Sequence, residues 1–214
     1  MRTILKFKLI TLVAFVLISM PLAAHAISYS FYNITNNGNE DLSSQLFVDV
    51  TSTGVNQVLF TFYNNGPIAS SICDIYFDDG TLLGIDSIIN GTGVEFTKIA
   101  TPKDLSGGNN ITPNFETTKN FSADSTSPTA PNGVNPGESV GIIFDLINGK
   151  TYTETLAALK SGELRIGLHV QAIGTAGGSD SYVNNGVKVP EPFTMLLLGL
   201  GLVGLAGVGR KLKK

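Results

Sequence analysis

Tryptophan is absent from the 214 residues, cysteine occurs once and histidine twice. A single Cys73 cannot close an internal disulfide, so the fold must rest on an apolar core. Cys73 reads as a small buried strand residue, with an intermolecular bridge or a reactive thiol as the alternatives. His25 lies in an N-terminal leader, which leaves His169 alone in the body of the chain. One histidine with no second histidine or thiolate at ligand spacing argues against zinc. No Gly-x-Ser-x-Gly elbow accompanies it, so a serine triad has no framework. On the strand pattern His169 points away from Leu168, towards solvent.

Positive charge is also scarce where it would matter. Lys and Arg number 14 against 17 Asp and Glu. Half of the basic residues, Arg2, Lys6, Lys8, Arg210, Lys211, Lys213 and Lys214, stand at the two ends. The body between is acidic. With no basic stripe to displace counterions from phosphates, nucleic acid is excluded as a partner, and ordinary binding to anionic lipid is disfavoured for the same reason.

Both ends carry address labels. Arg2, Lys6 and Lys8 precede an apolar run from Leu9 to Met20, and Ala24-His25-Ala26 offers an A-x-A site. This is the layout of a secretory signal peptide, residues 1–26, cut after Ala26. At the other end Pro190-Glu191-Pro192 leads into an apolar run, and Arg210, Lys211, Lys213 and Lys214 close the chain. The prolines keep a helix from starting upstream. The run from Phe193 to Val208 covers roughly 25 Å as a helix, close to the ~30 Å hydrocarbon core. A transmembrane helix is expected over 193–209, with the basic cluster held on the cytoplasmic side.

Triplet, apolar helix and basic cluster together resemble the PEP-CTERM sorting signal of Gram-negative bacteria, also catalogued as an ice-binding-protein C-terminal motif. The resemblance implies that exosortase, a membrane protease-transpeptidase, recognises residues 189–214. It implies a route to the cell surface and a link with exopolysaccharide. The same residues also fit an ordinary C-terminal membrane anchor with the prolines as plain linker. An ice-binding face would need ranks of Thr-x-Thr, and only Thr51-Ser52-Thr53 comes close.

Between the labels the text is one of short alternating runs broken by Asn and Gly, the signature of strands. Strands are expected at 29–34, 46–51, 58–63, 72–77, 81–89, 94–98, 139–146 and 164–173. Cys73, Ile75 and Phe77 form the core set of the fourth, and Asp78-Asp79-Gly80 a hairpin turn into the fifth. Thr151-x-x-Glu154 fits a capping box ahead of Leu156 and Leu159, with Gly162 as a left-handed cap. Residues 100–136, rich in Pro, Ser, Thr and Asn, read as a surface excursion, mobile over 122–135 and pinned by Ile111, Phe115 and Phe121. Residues 175–188 read as a linker, with Asp180 a linker residue. The expected fold is all-β, an antiparallel, jelly-roll-like β-sandwich over 27–174 with one short helix before the last strand.

Chemistry-bearing clusters are few. Asp74, Asp78 and Asp79 gather near one turn and could contribute to a calcium site, which wants about six to eight oxygens. Turn chemistry alone explains Asp78 and Asp79. Tyr63 and Tyr76 are the candidates for stacking on a sugar. The expectation is an exported protein without catalytic residues or cofactor, crossing the inner membrane, transiently anchored by its C-terminal helix. Processing by exosortase would then leave it at the cell surface or in the extracellular matrix. Its role would be structural or adhesive, associated with exopolysaccharide or biofilm. A carbohydrate-binding β-sandwich module is the alternative.

Overall fold

The computed structural model describes residues 26–38, 40–79 and 82–189. Most of the expected signal peptide with Ala24, the turn residue Gly80, the Pro190-Glu191-Pro192 triplet, the apolar run and the basic cluster lie outside the described residues. Among the described residues ten strands are formed: β1 (Ile27–Asn33), β2 (Leu46–Ser52), β3 (Gln57–Asn64), β4 (Ser71–Asp78) and β5 (Leu82–Asn90). They continue with β6 (Phe96–Lys98), β7 (Ser122–Ser125), β8 (Ser139–Leu146), β9 (Arg165–Ile173) and β10 (Gly178–Val189). Two helices join them, α1 (Thr129–Asn132) and α2 (Tyr152–Ser161).

The strands make a single sheet in the order β5-β8-β3-β2-β1-β10-β9-β4-β7-β6. Every pairing is antiparallel. The sheet folds on itself, so that its two halves become the layers of the expected sandwich. Phe60 on β3 and Phe144 on β8 meet Phe77 on β4 edge to face, at centroid distances of 5.2 and 4.6 Å. Side chains bridge the seam where β5 and β6 come together. Asn90 Nδ2 donates to Phe96 O at 3.3 Å, and Lys98 Nζ donates to Ile85 O and Asp86 O at 2.7 Å.

Alternation places the core as expected on most strands. Leu46, Val48 and Val50, then Val140, Ile142 and Phe144, are fully buried. On β4 a bulge between Ile72 and Asp74 changes the expected set. The extra residue is Cys73, so Ile72 joins Ile75 and Phe77 in the core while Cys73 is buried outside that cluster. Near the end of β9 the left-handed φ of 54° at Ala172 turns that residue outward and sends Ile173 inward.

α2 follows its sequence. Thr151 Oγ1 accepts from Glu154 N, the Glu154 carboxylate accepts from Thr151 N, and Gly162 takes a φ of 78°. Ala158 and Leu159 dip into the core, and Tyr152 donates its hydroxyl proton to Val50 O at 2.9 Å.

Three expectations need correcting. Asp78-Asp79-Gly80 does not lead into a hairpin: β4 pairs with β9 and β7, while β5 pairs with β8 in the other layer. Residues 122–135 are built into the body rather than standing off it, because β7 adds to β4 and Val134 exchanges backbone hydrogen bonds with Ile72. The supposed linker is β10, twelve residues long and central in the sheet between β1 and β9. The helix therefore precedes the last two strands.

Candidate functional site at the end of the last strand

β10 is held by polar contacts as much as by apolar ones. Asp180 is almost wholly buried and accepts from Thr35 Oγ1 at 2.8 Å, Asn37 N at 2.6 Å and Gly38 N at 2.9 Å. Burial alone would raise its pKa. The Asn37 amide, the Thr35 hydroxyl and the Gly38 amide outweigh that effect and hold the carboxyl below its usual range. A Cβ on Gly38 would stand 2.8 Å from Asp180 Oδ2, so a larger residue there would push the carboxylate away from the amides it accepts from. Further along, Asn184 Oδ1 accepts from Ile166 N at 2.7 Å, taking a place in the ladder for its side chain. Tyr182 fills the core between these two.

The strand runs out opposite the start of the chain's body. Ser28 pairs with Val189 and Tyr29 with Lys188. Ala26, where the signal peptide is expected to be cut, immediately precedes β1, and Pro190 immediately follows β10. The two sequence-read processing points therefore flank neighbouring strands at one end of the sheet. No spacer separates the folded domain from the Pro-Glu-Pro triplet.

The other candidate residues have structural employment. Asp78 forms an ion pair with Arg165 and accepts from Glu116 N at 3.1 Å. Arg165 Nη1 also donates to Pro113 O at 2.7 Å, and its guanidinium lies 5.4 Å from the Phe115 ring centroid. Together these fasten residues 113–116 to β4 and β9. Asp79 caps its turn by accepting from Leu82 N, and its own N donates to Thr118 Oγ1 at 2.9 Å. Asp74 is drawn elsewhere, to His169. The three carboxylates are not brought into one site, and among the described residues no group of three or more His, Cys, Asp or Glu could hold a metal ion.

His169 is a further correction. It does lie opposite the Leu168 face, but residues 100–121 cover that face through Ala100, Leu105 and Phe115 packed on Tyr76 and Val183. Its side chain is only 20% exposed, and Nδ1 stands 2.8 Å from Asp74 Oδ2. Register extends the contact into a rung across four strands, Ser181, His169, Asp74 and Asp124. Burial, then the neighbouring Asp74 carboxyl, push the pKa of Asp124 up from 3.8 to about 6. The Ser181 hydroxyl is buried and makes no hydrogen bond. The serine–histidine link of a nucleophilic triad is therefore not made. Alternation could have put these residues on one face, but nothing in the sequence aligned their strands.

Tyr76 is buried, with its hydroxyl donating to Pro102 O at 2.9 Å, and cannot stack on a sugar. Tyr63 is half-buried beside Phe47 on the outer face of β2 and β3. A more open aromatic is Tyr32, which alternation within the first strand does not single out as exposed. It is 38% exposed and lines a cleft of about 350 Å³ with Thr112, Lys160, Arg165 and Asn185.

These features define a β-sandwich domain whose last strand passes straight into a C-terminal sorting segment. Residues 188–211 match the PEP-CTERM protein-sorting motif, and the match begins inside β10. No curated protein and no solved structure matches the chain. The motif implies an exported protein that is sorted to the cell surface and processed by exosortase.

Proposed function

We propose that the protein is a non-enzymatic structural or adhesive component of a Gram-negative cell surface. It crosses the inner membrane behind its signal peptide, is held there briefly by its C-terminal helix, and is retained in an exopolysaccharide or biofilm matrix after processing. The observation that carries this reading is the direct passage of β10 into the sorting motif. Such a domain is delivered whole, with its last strand as the handle. The polar side chains support a structural role, because buried Asp180 and Asn184 and the half-buried Asp78–Arg165 pair all serve to lock strands and loops.

The test is fractionation of the native host. Unaltered protein should collect with the extracellular matrix. A variant with Pro190, Glu191 and Pro192 all changed to Ala should remain with the membranes. Equal distribution of the two would overturn the reading.

A carbohydrate-binding role is the second reading, favoured by the Tyr32 cleft with its amide and guanidinium groups. Binding on a glycan array that Tyr32→Ala abolishes would support it, and binding that survives Tyr32→Ala would count against that cleft.

A further inference from the structure

Strand direction sorts the loops into two ends. The β2–β3 turn, the β4–β5 corner and the β8–α2–β9 connection share the end at which β1 begins and β10 finishes, and the β6–β7 segment leaves from it and returns to it after running over the outer face as far as Ile34. Large apolar side chains stand in solvent there: Val55 at 93%, Leu83 at 62%, Ile99 at 56% and Ile147 at 37% exposure. They are neighbours along one rim. Ile99 and Leu83 line the cleft at the β5–β6 seam. Ile147 follows the last residue of β8, the strand beside β5. Val55 lies next to Asn56, whose carbonyl accepts from Leu146 N at 2.8 Å. The β1 and β10 ends come next round the same rim. Ile99 holds its place at a φ of 73°, a costly conformation for a β-branched residue.

Charge is sorted the same way. Lys98, Lys119, Lys150, Lys160 and Arg165 all belong to strand ends and connections at this end. Acids such as Asp145 and Glu163 accompany them, so the end as a whole is close to neutral. The loops of the opposite end carry Glu40, Asp41, Glu95 and Glu138 and no basic residue.

We propose that the rim bearing Val55, Leu83, Ile99 and Ile147 is a membrane-docking face. It seats on the bilayer that receives the chain's own C-terminal segment. The inference rests on the reading that this segment is held in a membrane before processing. Only Pro190, Glu191 and Pro192 separate Val189 from the apolar run. Three residues span at most about 11 Å, and the headgroup layer takes up roughly half of that. The end of the sheet is therefore held against the interface. Single apolar side chains there enter the acyl boundary while lysines reach the headgroups. The acidic loops face away from an anionic surface, which orients the domain.

The absence of tryptophan gives a clean probe. Full-length chains carrying Val55→Trp, Leu83→Trp or, at the opposite end, Ser44→Trp are reconstituted into phosphatidylethanolamine–phosphatidylglycerol vesicles containing lipids brominated on the acyl chains. Emission at positions 55 and 83 should be blue-shifted and quenched several-fold more than at 44. A chain that floats with the vesicles while all three probes stay unquenched overturns the inference alone. Blue-shifted but unquenched emission at 55 and 83 also overturns it, because a second copy of the chain would then cover the face. A chain that fails to float overturns the membrane-held stage, and this inference falls with it.

Discussion

Val189, the last residue of β10, stands opposite Ser28, the second residue of β1. The final strand of the domain is thus paired to the first, and Val189 leads directly into the Pro-Glu-Pro triplet. Processing on the C-terminal side of β10 leaves the sheet whole, whereas processing within β10 would remove a central strand.

If β10 is a strand and not a tether, its loss should unfold the protein. A chain ending at Gly174 should lose cooperative thermal unfolding and the antiparallel-sheet circular dichroism signal, while one ending at Val189 keeps both. Cooperative unfolding of the shorter chain would restore the linker reading.

Asp180 ties the β1–β2 loop to β10 through hydrogen bonds to a charged group. Asp180→Asn should therefore cost about 1–3 kcal/mol in urea unfolding. Its native pKa is depressed, so its contribution is present above the ordinary carboxylate range and lost as pH falls through the native value. The gap between the two proteins should close in acid. A gap that stays constant with pH would sever the effect from the charge.

Asp124 acts with the opposite sign. Its native pKa of about 6 lies above the ordinary 3.8, so the folded state holds the proton more tightly. The stability it contributes is complete below about pH 4 and lost as pH rises through about 6. Asp124→Asn, which imitates the neutral acid, should gain on the unaltered protein across that window and hold its gain above it. Equal midpoints from about pH 4 to pH 7 would remove Asp124 from the account.

Cys73 is fully buried, and burial pushes its thiol up to about 11. A thiol-specific disulfide reagent at about pH 8 should leave the native protein untouched for hours and react at once after denaturation. Fast reaction of native protein would show that β4 opens locally.

Much of this fold could be read from spacing. Where one face is oily and the other polar, as on β2, β3 and β8, alternation reports the strand directly. The α2 caps are legible because Thr151, Glu154 and Gly162 do their work within a few residues of each other. β10 was not legible because its inward and covered positions include Asp180, Ser181 and Asn184, buried polar groups that hydrophobic patterning reads as linker. β7 is four residues among prolines, and its pairing with β4 is fixed by residues that lie far away in the sequence. The bulge at Cys73 and the turn at Ala172 shift side chains by one position, which composition does not signal. The sorting triplet was plain because it is a contiguous label. The rung from Ser181 to Asp124 and the apolar rim exist only once four or more separate segments are brought together.

Intact-mass measurement on protein recovered from the native host tests the account most directly. The account predicts a chain that starts at Ile27 and has lost its apolar run and basic cluster, with β10 retained to Val189. A full-length 22.6 kDa chain, with its leader and the cluster from Arg210 to Lys214 still attached, would contradict it.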